Sequence, residues 1–193
     1  LQERGYVINA NSGDYSIKFL IDKRRYDAEA FAIIPEGNVI KIIGGDYRGL
    51  IYGALSLSED LRNEILLDNA VARSEKPKLM LRAVKYDLPW DTYRHSEALN
   101  LHDETCRDPK YWEAFLDMMA ENRLNALSLW NLHPYPFMII PKNYPEASPF
   151  TKEEFKEWQK LFQSIIGMAA ERAIETYLIC YVFAQIIQVS IFV

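Results

Sequence analysis

Beyond residue 78 the chain alternates between two apolar periods, and that alternation constrains the fold more than any other feature. Short β-rich runs at 79–87, 125–131 and 175–179 are separated by stretches at 108–122 and 151–172 whose apolar residues recur at helical spacing. Asp108-Pro109 places a capping carboxylate before a proline at the first helical position, after which Trp112, Phe115, Leu116 and Met119 form one stripe. Thr151 and Glu154 have the spacing of a capping box. Phe155, Trp158, Leu161, Phe162, Ile165, Ile166 and Ala169 then line one face. The order strand, helix, strand, helix, strand calls for a parallel sheet, and right-handed crossovers leave a doubly wound sheet or a (β/α) barrel. Three strands cannot close a barrel. An eight-unit barrel typically takes about 250 residues, whereas residues 79–193 number about 115. The expectation is therefore the front part of a larger protein or a truncated product, with its last strand left at an unpaired, apolar edge.

The first third reads as strands at 16–21 (SIKFLI), 30–34 (AFAII) and 39–43 (VIKII). Pro35-Glu36-Gly37-Asn38 is a turn that joins the last two into a hairpin. After Gly44-Gly45, Asp46 can cap a helix in which Leu50, Ile51, Ala54, Leu55 and Leu61 fall at helical spacing, so a helix is expected against a small sheet. Gly44 and Gly45 suit a tight strand-to-helix turn, while Gly49 and Gly53, one helical turn apart, suit close approach of the helix to the sheet. A phosphate-loop reading of these glycines lacks the Lys-Ser/Thr that should follow, and no cofactor is expected. The polar stretch 73–78, with Pro77, has the composition of a linker. The expected domains are thus a small α/β domain at 1–75 and the opening part of a (β/α) barrel at 79–193.

Composition narrows the partners. A net charge of −5 with scattered Lys and Arg, the one short basic run being 23–25, gives no general attraction to phosphate backbones and excludes nucleic acid as an expected partner. Cys106 and Cys180 show neither a CxxC spacing nor a disulfide framework and read as free thiols. His95, His102, Asp103, Glu104 and Cys106 gather within twelve residues, but their spacing fits no common zinc pattern, and no metal is expected there. Residues 178–193 carry no charge, yet they fall short of the ~20 needed to cross a bilayer. Gln185, Gln188 and Ser190 also interrupt them, so a buried strand region is preferred to a membrane segment. The residues alone fix neither oligomeric state nor compartment.

The run from Glu36 to Gly53 (EGNVIKIIGGDYRGLIYG) resembles the signature of the small α/β domain that precedes the catalytic barrel in family 20 hexosaminidases and in α-glucuronidases. The resemblance implies a small α+β sandwich domain followed by an incomplete (β/α)8 TIM barrel of a glycoside hydrolase, with a periplasmic or extracellular location. It continues at 77–87 (PKLMLRAVKYD), which is similar to the first barrel strand of family 20. There, an arginine followed five residues later by an aspartate contributes to sugar binding, and Arg82 and Asp87 match that spacing. A guanidinium can hold two sugar hydroxyls in planar geometry, although a structural pairing of Arg82 at the barrel floor is an equally good reading.

At the second strand the match fails. Family 20 enzymes usually carry histidines and an aspartate after the asparagine that opens it, whereas Asn125 is followed here by ALSLWNLH. Trp130, Asn131 and His133 lie at the carboxyl end of that strand, where barrel active sites form, and could stack on and hydrogen-bond to a sugar. Core packing for Trp130 and an ordinary loop role for His133 are the alternatives. Glycoside hydrolysis generally needs two carboxyl groups, or one assisted by the substrate. In the families resembled the acid lies on the fourth strand or later, so the resemblance assigns no catalytic residue to this chain. The expected function is a fragment of a glycoside hydrolase, α-glucuronidase-like or hexosaminidase-like, inactive by itself; the alternative is a non-catalytic carbohydrate-binding or scaffold protein of the same fold.

Overall fold

The computed structural model describes residues 1–2, 5–8, 13–91, 96–130, 137–182 and 185–191. Two compact units divide the chain, Leu1–Met80 and Leu81–Val193.

In the first unit, strands β1 (Ser16–Ile21), β2 (Phe31–Glu36), β3 (Val39–Gly44) and β4 (Arg73–Glu75) form a sheet in the order β1-β3-β2-β4. β1 runs parallel to β3, and the other pairs are antiparallel. The hairpin forms as the turn residues dictate, but β2 continues through Pro35 and Glu36, which narrows the turn to Gly37-Asn38. Gly37 takes φ +57°, a conformation that glycine adopts at no steric cost. Helix α1 (Tyr47–Arg62) is capped by Asp46, whose Oδ1 accepts from Gly49 N at 2.8 Å and from Glu29 N at 3.1 Å. Its Tyr52, Leu57 and Leu61 pack on Phe31, Ile33, Ile40 and Ile42 of the sheet. A Cβ on Gly49 would stand 2.2 Å from the Ala30 carbonyl oxygen, and one on Gly45 would stand 1.8 Å from that of Asp27. Both positions demand glycine through close backbone approach, and neither has positive φ.

The segment expected as a linker is partly strand. β4 pairs with β2, because the Ser74 hydroxyl donates to the Phe31 carbonyl at 3.1 Å and Arg73 reaches the Asp60 carboxylate at 2.7 Å and the Ser56 hydroxyl at 2.8 Å. Polar composition marked this stretch as a boundary. Its polar groups serve instead to fasten an edge strand.

In the second unit, β5 (Ala83–Asp87), β6 (Ala126–Trp130), β7 (Glu175–Val182) and β8 (Gln185–Ile191) follow one another in the sheet. The first three are parallel and β8 is antiparallel to β7. The outer edge of β7, expected to be unpaired, is thus taken by β8. Residues 79–82 fall outside the strand that was expected to start at 79; Leu79, Met80 and Leu81 are well exposed, and pairing with β6 begins at Ala83.

Helix α3 (Pro109–Glu121) starts at Asp108, whose side chain accepts from Lys110 N at 2.9 Å, and α4 (Lys152–Glu171) starts at a complete capping box of Thr151 and Glu154. The stretch between β5 and α3, where no helix was expected, contains helix α2 (Glu97–Arg107). Trp112, Leu116 and Met119 of α3 join Trp158, Phe162, Ile165 and Ala169 of α4 in one core with Leu127, Leu129 and Leu178 of the sheet. Both long helices therefore cover the same sheet face. No helix among the described residues is long and apolar enough to cross a membrane.

Candidate functional site

Strand parity decides which side chains meet. Val84 and Tyr86 on β5, Leu127 and Leu129 on β6, and Thr176 and Leu178 on β7 face the helices. The intervening residues, Lys85 and Asp87, Ser128 and Trp130, Glu175, Tyr177 and Ile179, occupy the opposite face. Side-chain accessibility follows: every residue of β5 on this second face is exposed, and Trp130 is partly so.

Asp87 and Trp130 are register partners at the carboxyl ends of β5 and β6, so the structure brings these two candidate residues together. A third residue, which sequence reasoning missed, links them. The Lys85 ammonium lies 2.8 Å from Asp87 Oδ1 and 4.2 Å from the centre of the Trp130 ring. The first is an ion pair and the second a cation–π contact. A lysine two residues before an aspartate on a strand shares its face, and that spacing was the available signal. Deeper on the same face, the Ser128 hydroxyl is buried without a hydrogen-bond partner among the described residues.

Arg82 is elsewhere. It precedes β5 at the amino end, roughly 16 Å of extended strand from Asp87. Its Nε donates to the Arg123 carbonyl at 2.7 Å, and its backbone N–H donates to Asn125 Oδ1 at 2.8 Å. Asn125 N in turn donates to the Arg82 carbonyl at 2.9 Å. These bonds tie the starts of β5 and β6 together. Asn131 and His133, like His95, lie outside the described residues.

On the helical side of the sheet, Tyr86 and the buried Cys106 form a half-buried polar cluster with Tyr111. The Tyr86 hydroxyl is 2.8 Å from that of Tyr111 and 3.1 Å from Cys106 Sγ. Burial first, then these two hydrogen bonds, holds the Tyr86 phenol well above its usual range. Burial also pushes the Cys106 thiol up, against the opposing pull of the Tyr86 bond. Both shifts disfavour the reactive, ionised forms, so this is a structural cluster. Among the described residues no group of three His, Cys, Asp or Glu side chains is placed to hold a metal. A cleft of about 390 Å³ opens on the helical side between Arg107, Phe150, Glu154 and Trp158, with the Arg107 guanidinium 4.5 Å from the Trp158 ring centre. It lies away from the Asp87–Trp130 pair.

No family model and no curated protein matches the chain. Solved structures do. The chain is similar over 93% of its length to a GH138 enzyme targeting pectin rhamnogalacturonan II, at 30% identity and a TM-score of 0.79, and spans 22% of that enzyme. Further glycoside hydrolases are among the solved structures that it matches. A GH20 β-N-acetylhexosaminidase from Streptomyces coelicolor matches over 87% of this chain and 34% of its own, at 15% identity and a TM-score of 0.54. The β-N-acetylhexosaminidase of Bacteroides fragilis matches over 84% and 32%, at 18% identity and a TM-score of 0.54. The glycoside hydrolase resemblance seen in the sequence is met in the fold, and the chain spans between about a fifth and a third of the length of these structures.

Proposed function

We propose that this chain is part of a glycoside hydrolase, in which a small α/β domain at 1–75 precedes the first units of a (β/α) barrel at 79–193. The observation that carries this reading is the one-sided helical cover of β5–β7. A doubly wound parallel sheet has helices on both faces, whereas a barrel puts all helices outside and turns the second face inward. The polar and aromatic side chains at Lys85, Asp87, Ser128 and Trp130 are those of an inner wall, and Asp87 and Trp130 stand at the carboxyl rim, where barrel enzymes bind substrate.

In this reading Asp87 accepts hydrogen bonds from sugar hydroxyls and the Trp130 ring stacks on a sugar face, with Asn131 and His133, which follow Trp130 in the sequence, as further hydrogen-bonding candidates. Arg82 contributes by fastening β5 to β6. The glycan named for the GH138 enzyme supplies the first ligands to test, with uronosyl and N-acetylhexosaminyl oligosaccharides after it.

The test is calorimetric titration of the purified chain with rhamnogalacturonan II oligosaccharides, beside assays on aryl glycosides. Saccharide binding that is lost in the double variant D87A/W130A, with no turnover, is the expected result. Turnover by the chain would overturn its inactivity, and binding that survives the double variant would overturn the site. The non-catalytic reading is separated from the enzyme by turnover of the same glycan by the full-length protein.

A further inference from the structure

We infer that Lys85 is a positioning residue that joins Asp87 and Trp130 into one preformed saccharide-contacting unit, an inference that rests on the reading of function above. The geometry is a triangle across two strands. Lys85 and Asp87 are two residues apart on one face of β5, Trp130 is the register partner of Asp87 on β6, and the Lys85 ammonium reaches both, at 2.8 Å and 4.2 Å.

A carboxylate offers about four lone-pair sites, so the ammonium fixes Asp87 and leaves acceptor capacity for hydroxyls. The same charge, held over the indole, restrains the ring. A carboxylate and an indole that arrive already ordered lose less freedom on binding than two independent side chains would. Folding stability is not what the lysine supplies, because the side chains of Lys85 and Asp87 are 53% and 56% exposed, and ion pairs so solvated add little to stability. Its effect belongs in recognition.

The experiment compares the whole chain with K85M and K85R by calorimetry on rhamnogalacturonan II oligosaccharides, by thermal melting, and by NMR of the chain after reductive ¹³C-dimethylation of its lysines, which keeps their charge. A Lys85 methyl signal displaced upfield by the indole ring current, absent in K85R and returned to the ordinary lysine position in W130L, is expected. K85M should weaken binding by roughly three- to fivefold with unchanged melting. K85R, whose guanidinium can both pair and stack, should restore most of the affinity. Binding by the parent chain that K85M leaves unchanged overturns the inference alone, as does an undisplaced Lys85 signal. Failure of the parent chain to bind any saccharide of the panel overturns the functional reading and this inference together.

Discussion

Gly49→Ala tests one of the close backbone approaches of the first unit, the contact between α1 and the chain entering β2. Two effects oppose each other. In an exposed helix interior, alanine is worth about 1 kcal/mol more than glycine. Here the new methyl carbon would stand 2.2 Å from the Ala30 carbonyl oxygen, a distance that real contacts do not show, so the helix must back away by about 0.8 Å. Overpacking of this kind costs about 1–3 kcal/mol. The displaced carbonyl is also the acceptor for Gly45 N at 2.9 Å, and straining that bond costs about another 1 kcal/mol. The net expectation is a loss of roughly 1–3 kcal/mol, read by urea denaturation followed by far-ultraviolet circular dichroism. Gly167→Ala is the control. That glycine lies inside α4 with no atom within 4 Å of an added Cβ, so propensity acts alone and stability should rise by about 1 kcal/mol. All four tryptophans lie in the second unit, so indole emission follows this variant. If Gly49→Ala proves as stable as the parent, the close approach of helix and carbonyl is wrong.

Asp46→Ala removes the acceptor for Gly49 N and Glu29 N and should cost about 1–2 kcal/mol in the same denaturation assay. Asn125→Ala deprives the Arg82 N–H of its 2.8 Å partner at a site that is 5% exposed; a loss of about 1–3 kcal/mol, visible in tryptophan emission, is expected. The raised pKa of Tyr86 makes stability depend on alkaline pH. Its contribution is complete below the ordinary phenol pKa of about 10 and falls as pH rises above it, because the unfolded chain then ionises while the folded chain stays protonated. Urea midpoints between pH 8 and 11 should therefore decline more steeply for the parent than for Tyr86→Phe. In the folded chain, Cys106 should resist alkylation at pH 8, and labelling monitored by mass spectrometry should reach it only on unfolding.

How much was legible beforehand depended on whether local chemistry or distant pairing set the outcome. The starts of α1, α3 and α4 could be read because Asp46, Asp108 and Thr151 cap their own chains within a few residues. The β2–β3 hairpin was legible for the same reason. By contrast, Arg73–Glu75 looked like a linker because its polar side chains reveal their purpose only beside Phe31, Ser56 and Asp60. Helix α2 was hidden because it is largely polar and exposed, and among its residues whose burial is described only Cys106 is buried. The pairing of β8 with β7 escaped because an uncharged run states neither direction nor register. Among the candidate residues, the pairing of Asp87 with Trp130 at the carboxyl ends of neighbouring strands followed from the strand order. The role of Lys85 did not, since it requires the neighbouring strand to be in place.

The even-and-odd division of β5 and β6 has an evolutionary corollary. Substitutions at Val84, Tyr86, Leu127 or Leu129 must answer to a packed interior, whereas Lys85 and Asp87 are exposed and Trp130 partly so. One strand thus carries two separately adjustable inheritances, and the exposed parity can vary while the scaffold is conserved on the other.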